Sequence, residues 1–465
     1  MKYISTRGKS EKLTFEEVLL KGLAPDGGLY LPDITDEEYK KLVDIKALKN
    51  LSYSDLAFKV MQPFVKGSEN ISDEDLKKLC YDTYQNFNHK AVAPLKLLDT
   101  NLFGMELFHG PTLAFKDYAL QLVGRLFDHV LKKRGENLTI VGATSGDTGS
   151  AAIYSVMGSK NAKIFMLHPY GKVSEVQRKQ MTSVVADNVF NLAVDGNFDD
   201  CQAIVKALFN DHAFNEKMNL GAVNSINFAR ILAQVVYYFY AGLLVGGDME
   251  EVSFSVPTGN FGNVLAGFIA MKMGLKVKTL IIASNPNDIL PRFISSGKME
   301  KKEVKASLSP SMDIQISSNF ERLLFLALDK NSEKLCQMME DFNKKGSYEV
   351  DKKTYENITN VFKAVALSDE GTLESIKKTY EETGEILDPH SAIAVFAARD
   401  EAKYTKTIAV LTAHGAKFEG AVKKAINKSP IFPSFLENIM KGEEKCERIS
   451  NDAEMVKNYI LKATK

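Results

Sequence analysis

From about residue 103 the chain alternates apolar runs of strand length with helical periods, and three of the strand ends turn into glycine-rich loops. One run ends at 105–108, and a helical pattern follows over about 113–134. Gly135 stands just past it, where a helix that ends in a left-handed residue wants glycine. Residues 138–141 make a second run, with helix expected over 151–157. Further strands are expected at 163–167, 189–194, 252–256, 278–283 and 407–411, with helices after Asn263 and after 411. Parallel strands need long crossovers and antiparallel ones do not, so this alternation predicts mostly parallel sheets covered by helices on both faces. The expected class is α/β, and ligands in such folds bind beyond the carboxyl ends of the strands.

At 465 residues the chain is too long for one ordinary core. Residues 1 to 95 mix short helical patterns with turns such as Pro25-Asp-Gly-Gly28 and are expected to form an N-terminal subdomain. The expected domains are then 96–245, with Lys116 and the first glycine-rich loop, and 246–465, with the second. Residues 300–380 are rich in Lys, Glu, Ser and Asn, with helical periods and no strong strand, and are expected to be a helical insertion. The tail from 429 is charged and expected to be helical at its end.

Lys plus Arg and Asp plus Glu each number 59, so no net field draws nucleic acid or an anionic membrane. Cys80, Cys201, Cys336 and Cys446 are far apart, without disulfide or metal spacing, and the histidines do not cluster with them. A reducing compartment and no metal site are expected. The first residues lack the apolar stretch of a signal peptide. The most apolar run, 231–245, is broken by Gln234 and is short for a membrane span, so a buried helix and a cytoplasmic protein are expected.

Lys116 is out of place. Ala119, Leu122, Val123, Leu126, Phe127, Val130 and Leu131 form the buried face of its helix, and Lys116 falls on that face. A free ammonium buried there costs on the order of several kcal/mol, so it must be paired, covalently used or neutral. A lysine amine of lowered basicity is a nucleophile able to form a Schiff base. The alternative is a lysine that snorkels from the helix end or pairs with Asp117.

The first loop, Gly142-Ala-Thr-Ser-Gly-Asp-Thr-Gly149, passes from strand to helix. It lacks the lysine of a P-loop and the GxGxxG of a dinucleotide site. Its N–H groups and hydroxyls suit a carboxylate or phosphate. The second, Pro257-Thr-Gly-Asn-Phe-Gly-Asn263, offers backbone donors at a helix start, or else is an asparagine-capped turn. In the third, Leu411-Thr-Ala-His-Gly415, Thr412 places a hydroxyl at a strand end, suited to a heterocycle nitrogen.

Together these stretches resemble the threonine synthase family, fold-type II pyridoxal-phosphate (PLP) enzymes of the tryptophan synthase β superfamily. His109-Gly-Pro-Thr-Leu-Ala-Phe-Lys-Asp117 resembles the family's cofactor-lysine motif, and the segments 144–149 and 258–263 resemble its substrate-side and cofactor-phosphate loops. Thr14-Phe-Glu-Glu17, residues 22–32, the segment beginning Asn224-Ser-Ile-Asn-Phe-Ala-Arg230 and Asp388-Pro-His-Ser-Ala392 are similar to further signatures. The resemblance thus runs over nearly the whole chain, except 300–380; Gly415 stands where many members carry proline.

The resemblance implies two open, mostly parallel, twisted sheets flanked by helices. It implies that Lys116 binds PLP covalently and shuttles protons. Gly259, Asn260, Phe261, Gly262 and Asn263 would hold the cofactor phosphate, Thr412 the pyridine nitrogen, and Asp147 the phenolic oxygen. Thr144, Ser145, Gly146, Thr148 and Gly149 would bind substrate, and Ser225, Asn227 and Arg230 an anionic group of it. The implied reaction turns O-phospho-L-homoserine and water into L-threonine and phosphate by γ-elimination and β-hydration, the last step of threonine biosynthesis, in a monomer or homodimer. Rival readings on the same scaffold are a phospholyase that yields 2-oxobutyrate and a non-catalytic binding homologue. A serine/threonine dehydratase fits the 144–149 loop less well.

Overall fold

The computed structural model of the chain describes residues 1–222 and 225–464, so Asn224, the first residue of one signature above, lies outside the described residues. The chain divides into two compact units, Met1–Phe115 with Ser225–Pro430, and Lys116–Asn224 with Ile431–Lys465. These units do not follow breaks at 95 and 245. Leu102–Glu106 pairs with the distant Thr407–Leu411, which ties both ends of the first unit together. Glu447–Ile449 pairs with Val189–Val194, which ties the tail to the second.

The first unit is built on a six-stranded sheet in the order Phe362–Ala366, Val277–Ser284, Val252–Pro257, Thr407–Leu411, Leu102–Glu106, Leu95–Asp99. All neighbours are parallel except the last pair. Interior strands such as Val252–Pro257 are buried at every residue, as strands covered on both faces must be. The helix Pro389–Glu401 covers part of one face. Its Ala392, Ala394 and Ala398 share a core with Ile281, Ala409 and Leu411. Asp388 starts that helix by accepting from the His390 and Ser391 N–H groups, with proline in the first turn, where its missing N–H costs nothing.

At the N-terminus of the same unit, Tyr3–Ser5 pairs antiparallel with Tyr30–Pro32, and Thr14 and Glu17 form a capping box. The apolar run near 231–245 is the helix Phe228–Leu244, buried along most of its length. Among the described residues, no helix is long and apolar enough to cross a membrane.

Residues 300–380 hold the expected helices, Phe320–Ala327, Ser332–Lys345, Lys352–Thr359 and Asp369–Thr383. The same stretch, in which no strong strand is expected, also carries a strand of the six-stranded sheet. Phe362–Ala366 is an edge strand parallel to Val277–Ser284, in a register that runs from Leu280↔Phe362 to Ser284↔Ala366. Of its five residues only Phe362 is fully buried, so the strand lacks the apolar run that marks its neighbours.

The second unit is a five-stranded, all-parallel sheet in the order Glu447–Ile449, Val189–Val194, Ala162–Pro169, Leu138–Ala143, Leu220–Gly221. Val141, Phe165, Leu167, Leu192 and Val194 meet Ile204 and Leu208 from one helix and Val456 and Ile460 from the tail. The charged tail therefore adds a strand as well as the expected helix, Ala453–Ala463.

Candidate active site

In the second unit the helix Lys116–Arg134 begins at Lys116 itself, with its side chain on the buried face that the spacing predicts. Lys116 Nζ lies 3.5 Å from Asp147 Oδ2. Asp147 opens the next helix, Asp147–Val156, whose start lies inside the glycine-rich loop and not at the expected 151. A carboxylate at that position gains from the positive end of the helix. Its other oxygen accepts from Gln177 Nε2 at 2.9 Å, and Gln177 Oε1 in turn accepts from Ser174 Oγ. Gln177 escaped the sequence reading because a glutamine in a polar helix carries no signal.

The loop braces itself from within. Thr144 Oγ1 accepts from the N–H groups of Gly146 and Gly149 at 3.0 and 2.9 Å. A Cβ on Gly149 would fall 2.4 Å from Thr144 Cγ2, so this close approach admits only glycine. Gly146 leaves the helix start without a side-chain cap, Thr148 is half-buried, and Ser145 is exposed.

The first unit carries the remaining sequence-predicted residues. Strand Val252–Pro257 delivers the second loop to the helix Gly262–Lys272, whose start also lacks a side-chain cap. Phe261 takes a left-handed conformation, φ 63°, at a cost of roughly 1–2 kcal/mol for a residue with a side chain. Its ring packs on Phe320 and Phe362, at 5.1 and 5.5 Å between centroids, and that burial offsets the cost. Asn263 Oδ1 accepts from Tyr237 and Tyr238 hydroxyls, while its buried Nδ2 has no hydrogen-bond partner.

Arg230 is 4% exposed, and its Nε and Nη1 are buried without partners. Burial pushes its guanidinium down to about 10, and Tyr237, the residue that holds Asn263, lies within electrostatic reach. Asn227 caps the helix Phe228–Leu244 through Ala229 N and donates to the Leu19 carbonyl, so its amide works for the fold. Ser225 offers its carbonyl to Asn319 Nδ2 at 3.0 Å. Thr412, buried at the end of its strand, donates its N–H to Ser391 Oγ at 2.9 Å, and its carbonyl accepts from Phe115 N. Ser391 Oγ is held in turn by Asp388, which also pairs with His390 Nδ1.

These donor sets suit PLP. An uncapped helix start beside an orphaned amide donor suits its phosphate, a strand-end threonine its ring nitrogen, and a buried lysine amine its aldehyde.

Comparison with known proteins agrees. The family model described as pyridoxal-phosphate dependent enzyme matches residues 90–413, threonine synthase N terminus matches 2–84, and threonine synthase, C-terminal, matches 391–460. The threonine synthase of Pseudomonas aeruginosa is 50% identical over 99% of this chain and 98% of its own. That of Saccharomyces cerevisiae is 45% identical over 98% of this chain and 97% of its own. A crystal structure of PLP-bound threonine synthase from Brucella melitensis superposes with a TM-score of 0.96 at 46% identity, covering 100% of both chains. Fold and comparisons define a PLP-dependent lyase of fold type II. Within that class, the chain belongs to the threonine synthase family.

Proposed function

We propose that the protein converts O-phospho-L-homoserine and water to L-threonine and phosphate, with Lys116 as its central catalytic residue. The observation that carries this reading is a lysine amine on an apolar helix face, 3.5 Å from a carboxylate that Gln177 holds in place. PLP, when bound, supplies the electron sink for charge that develops on the substrate carbons. Lys116 holds the cofactor by its aldehyde carbon. Once the substrate amine had displaced it from that carbon, the freed Lys116 amine would take and return protons at the substrate α- and β-carbons, with phosphate leaving the γ-carbon and water adding at the β-carbon.

Asp147, 3.5 Å from the Lys116 amine, would orient it and face the cofactor's phenolic oxygen. Residues 259–263 hold the cofactor phosphate. Thr412 would offer its hydroxyl to the ring nitrogen, a neutral partner that suits elimination and replacement. Residues 144–149 bind the substrate, with Thr144 bracing the loop, and Arg230 binds an anionic group of the substrate. The support for Arg230 is its buried guanidinium, since a buried cation calls for an anion. Ser225 and Asn227 shape the start of its helix.

The protein is further read as cytoplasmic, free of nucleic-acid and membrane partners, and a monomer or homodimer. Its balanced charge and unpaired cysteines support the first points.

The test is incubation of the PLP-loaded protein with O-phosphohomoserine and identification of the product. Threonine is expected in step with phosphate; release of 2-oxobutyrate in its place overturns the reading. Lys116→Ala is expected to abolish turnover and the cofactor's lysine-linked absorbance band together.

A further inference from the structure

Residues 300–380 have no role in the reaction as read above, yet Ser317-Ser-Asn-Phe-Glu-Arg322 touches the second glycine-rich loop at its backbone. Ser317 Oγ donates to the Gly259 carbonyl at 2.7 Å. The Asn319 N–H and Nδ2 both donate to the Asn260 carbonyl, at 3.1 and 3.0 Å. Nδ2 also donates to the Ser225 carbonyl, so one amide ties the loop to the segment before the helix Phe228–Leu244.

Asn319 is diverted from its local task. It sits at the N-cap of the helix Phe320–Ala327, where an asparagine oxygen ordinarily accepts from the helix's own N–H groups. Here it makes no such bond, and its oxygen accepts from Arg322 Nη1. Arg322 is fully buried and donates also to the Ile226 and Tyr30 carbonyls, at 2.6 and 3.0 Å. A buried guanidinium spent on carbonyls and an amide oxygen fixes positions more than it neutralises charge.

The geometry of the peptide bond gives these contacts a consequence. In a trans peptide the C=O of one residue and the N–H of the next point in opposite directions. Drawing the Gly259 carbonyl toward Ser317 therefore aims the Asn260 N–H the other way. Drawing the Asn260 carbonyl toward Asn319 does the same for the Phe261 N–H, just before an uncapped helix start. Gly259 is hemmed in besides, since a Cβ there would meet the Ser311 carbonyl oxygen at 3.0 Å.

We propose that Ser317, Asn319 and Arg322 form a bracket that presets the N–H groups of residues 260 and 261 for the cofactor phosphate, and so act as positioning residues for PLP affinity. The proposal rests on the reading of residues 259–263 as the phosphate loop. Preset donors bind more tightly because the ordering cost is met before the ligand arrives.

The test uses full-length protein stripped of cofactor and titrated with PLP, and separately with pyridoxal, which lacks the phosphate. The chain has no tryptophan, so the absorbance of the cofactor itself is the signal. Ser317→Ala is expected to weaken PLP about tenfold, or ~1.4 kcal/mol, and Asn319→Ala by more. Pyridoxal affinity should hold steady for both, as should the melting temperature of Ser317→Ala, and Ser317→Thr should restore PLP binding. Equal losses for PLP and pyridoxal would mean a general structural role and overturn the proposal. A Gly262→Val control places a side chain in the loop itself. If that control loses PLP selectively while Ser317→Ala and Asn319→Ala do not, the bracket fails and the phosphate-loop reading stands. If the control also leaves PLP binding intact, the phosphate-loop reading fails with it.

Discussion

Arg230 and Lys116 are both cations on apolar helix faces, but they solve the problem of burial differently. Lys116 has a carboxylate at 3.5 Å; Arg230 has two donor nitrogens buried without acceptors. A protein selected for stability alone would carry a hydrophobic side chain in place of Arg230. Arg230→Met is therefore expected to raise the melting temperature of the ligand-free protein, by a few degrees for about 1–2 kcal/mol. It should also raise KM for O-phosphohomoserine about a hundredfold, as seen in parallel melts and initial-rate assays.

Two histidines give a pH signature. Burial lowers the pKa of His168 and of His414 below the ordinary imidazole value. The unfolded chain then takes up protons near about pH 6.5, where the folded chain resists them, so stability is present above that range and falls as pH drops through it. Denaturant melts at pH 7.5, 6.0 and 5.0 should show this loss, and His168→Gln with His414→Gln should flatten it.

At the scale of elements, the first glycine-rich loop is braced by Thr144 Oγ1, which accepts from two of its N–H groups, and its glycines permit that close approach. Gly149→Ala would set a methyl group 2.4 Å from Thr144 Cγ2, a clash that costs about 1–3 kcal/mol. The expected outcome is a lower denaturation midpoint and a raised KM, with the cofactor band retained. These loops were legible in the sequence because so close a strand-to-helix turn needs a backbone that few residues permit, and the interior strands because apolar residues dominate them. What they lean on was not legible. Gln177, Asn319 and Arg322 sit in polar stretches whose partners lie far away in sequence, and nothing in a local pattern singles them out. The strand Phe362–Ala366 was missed for a related reason: an edge strand half open to solvent reads like any short mixed segment. The lysine was placed on the correct face by helical spacing alone, whereas its carboxylate came from another loop.

For the whole molecule, the second unit depends on its tail. Ile449, Val456 and Ile460 are buried in its core, and at roughly 1.5–3 kcal/mol each their loss approaches the full stability of a typical domain. A chain that stops at Pro430 is thus expected to be cleaved rapidly within residues 116–224 by limited proteolysis, and to lose the Lys116-linked cofactor band.

The pairing of Leu102–Glu106 with Thr407–Leu411, and of Val189–Val194 with Glu447–Ile449, also bears on how the chain is made. A ribosome delivers one partner of each pair long before the other. Each early strand has a neighbour made just before it on one edge, but its other edge stays open for most of translation, so neither sheet is complete as it emerges from the exit tunnel. Coenzyme capture then belongs to the finished polypeptide, and the vulnerable interval for aggregation is synthesis itself.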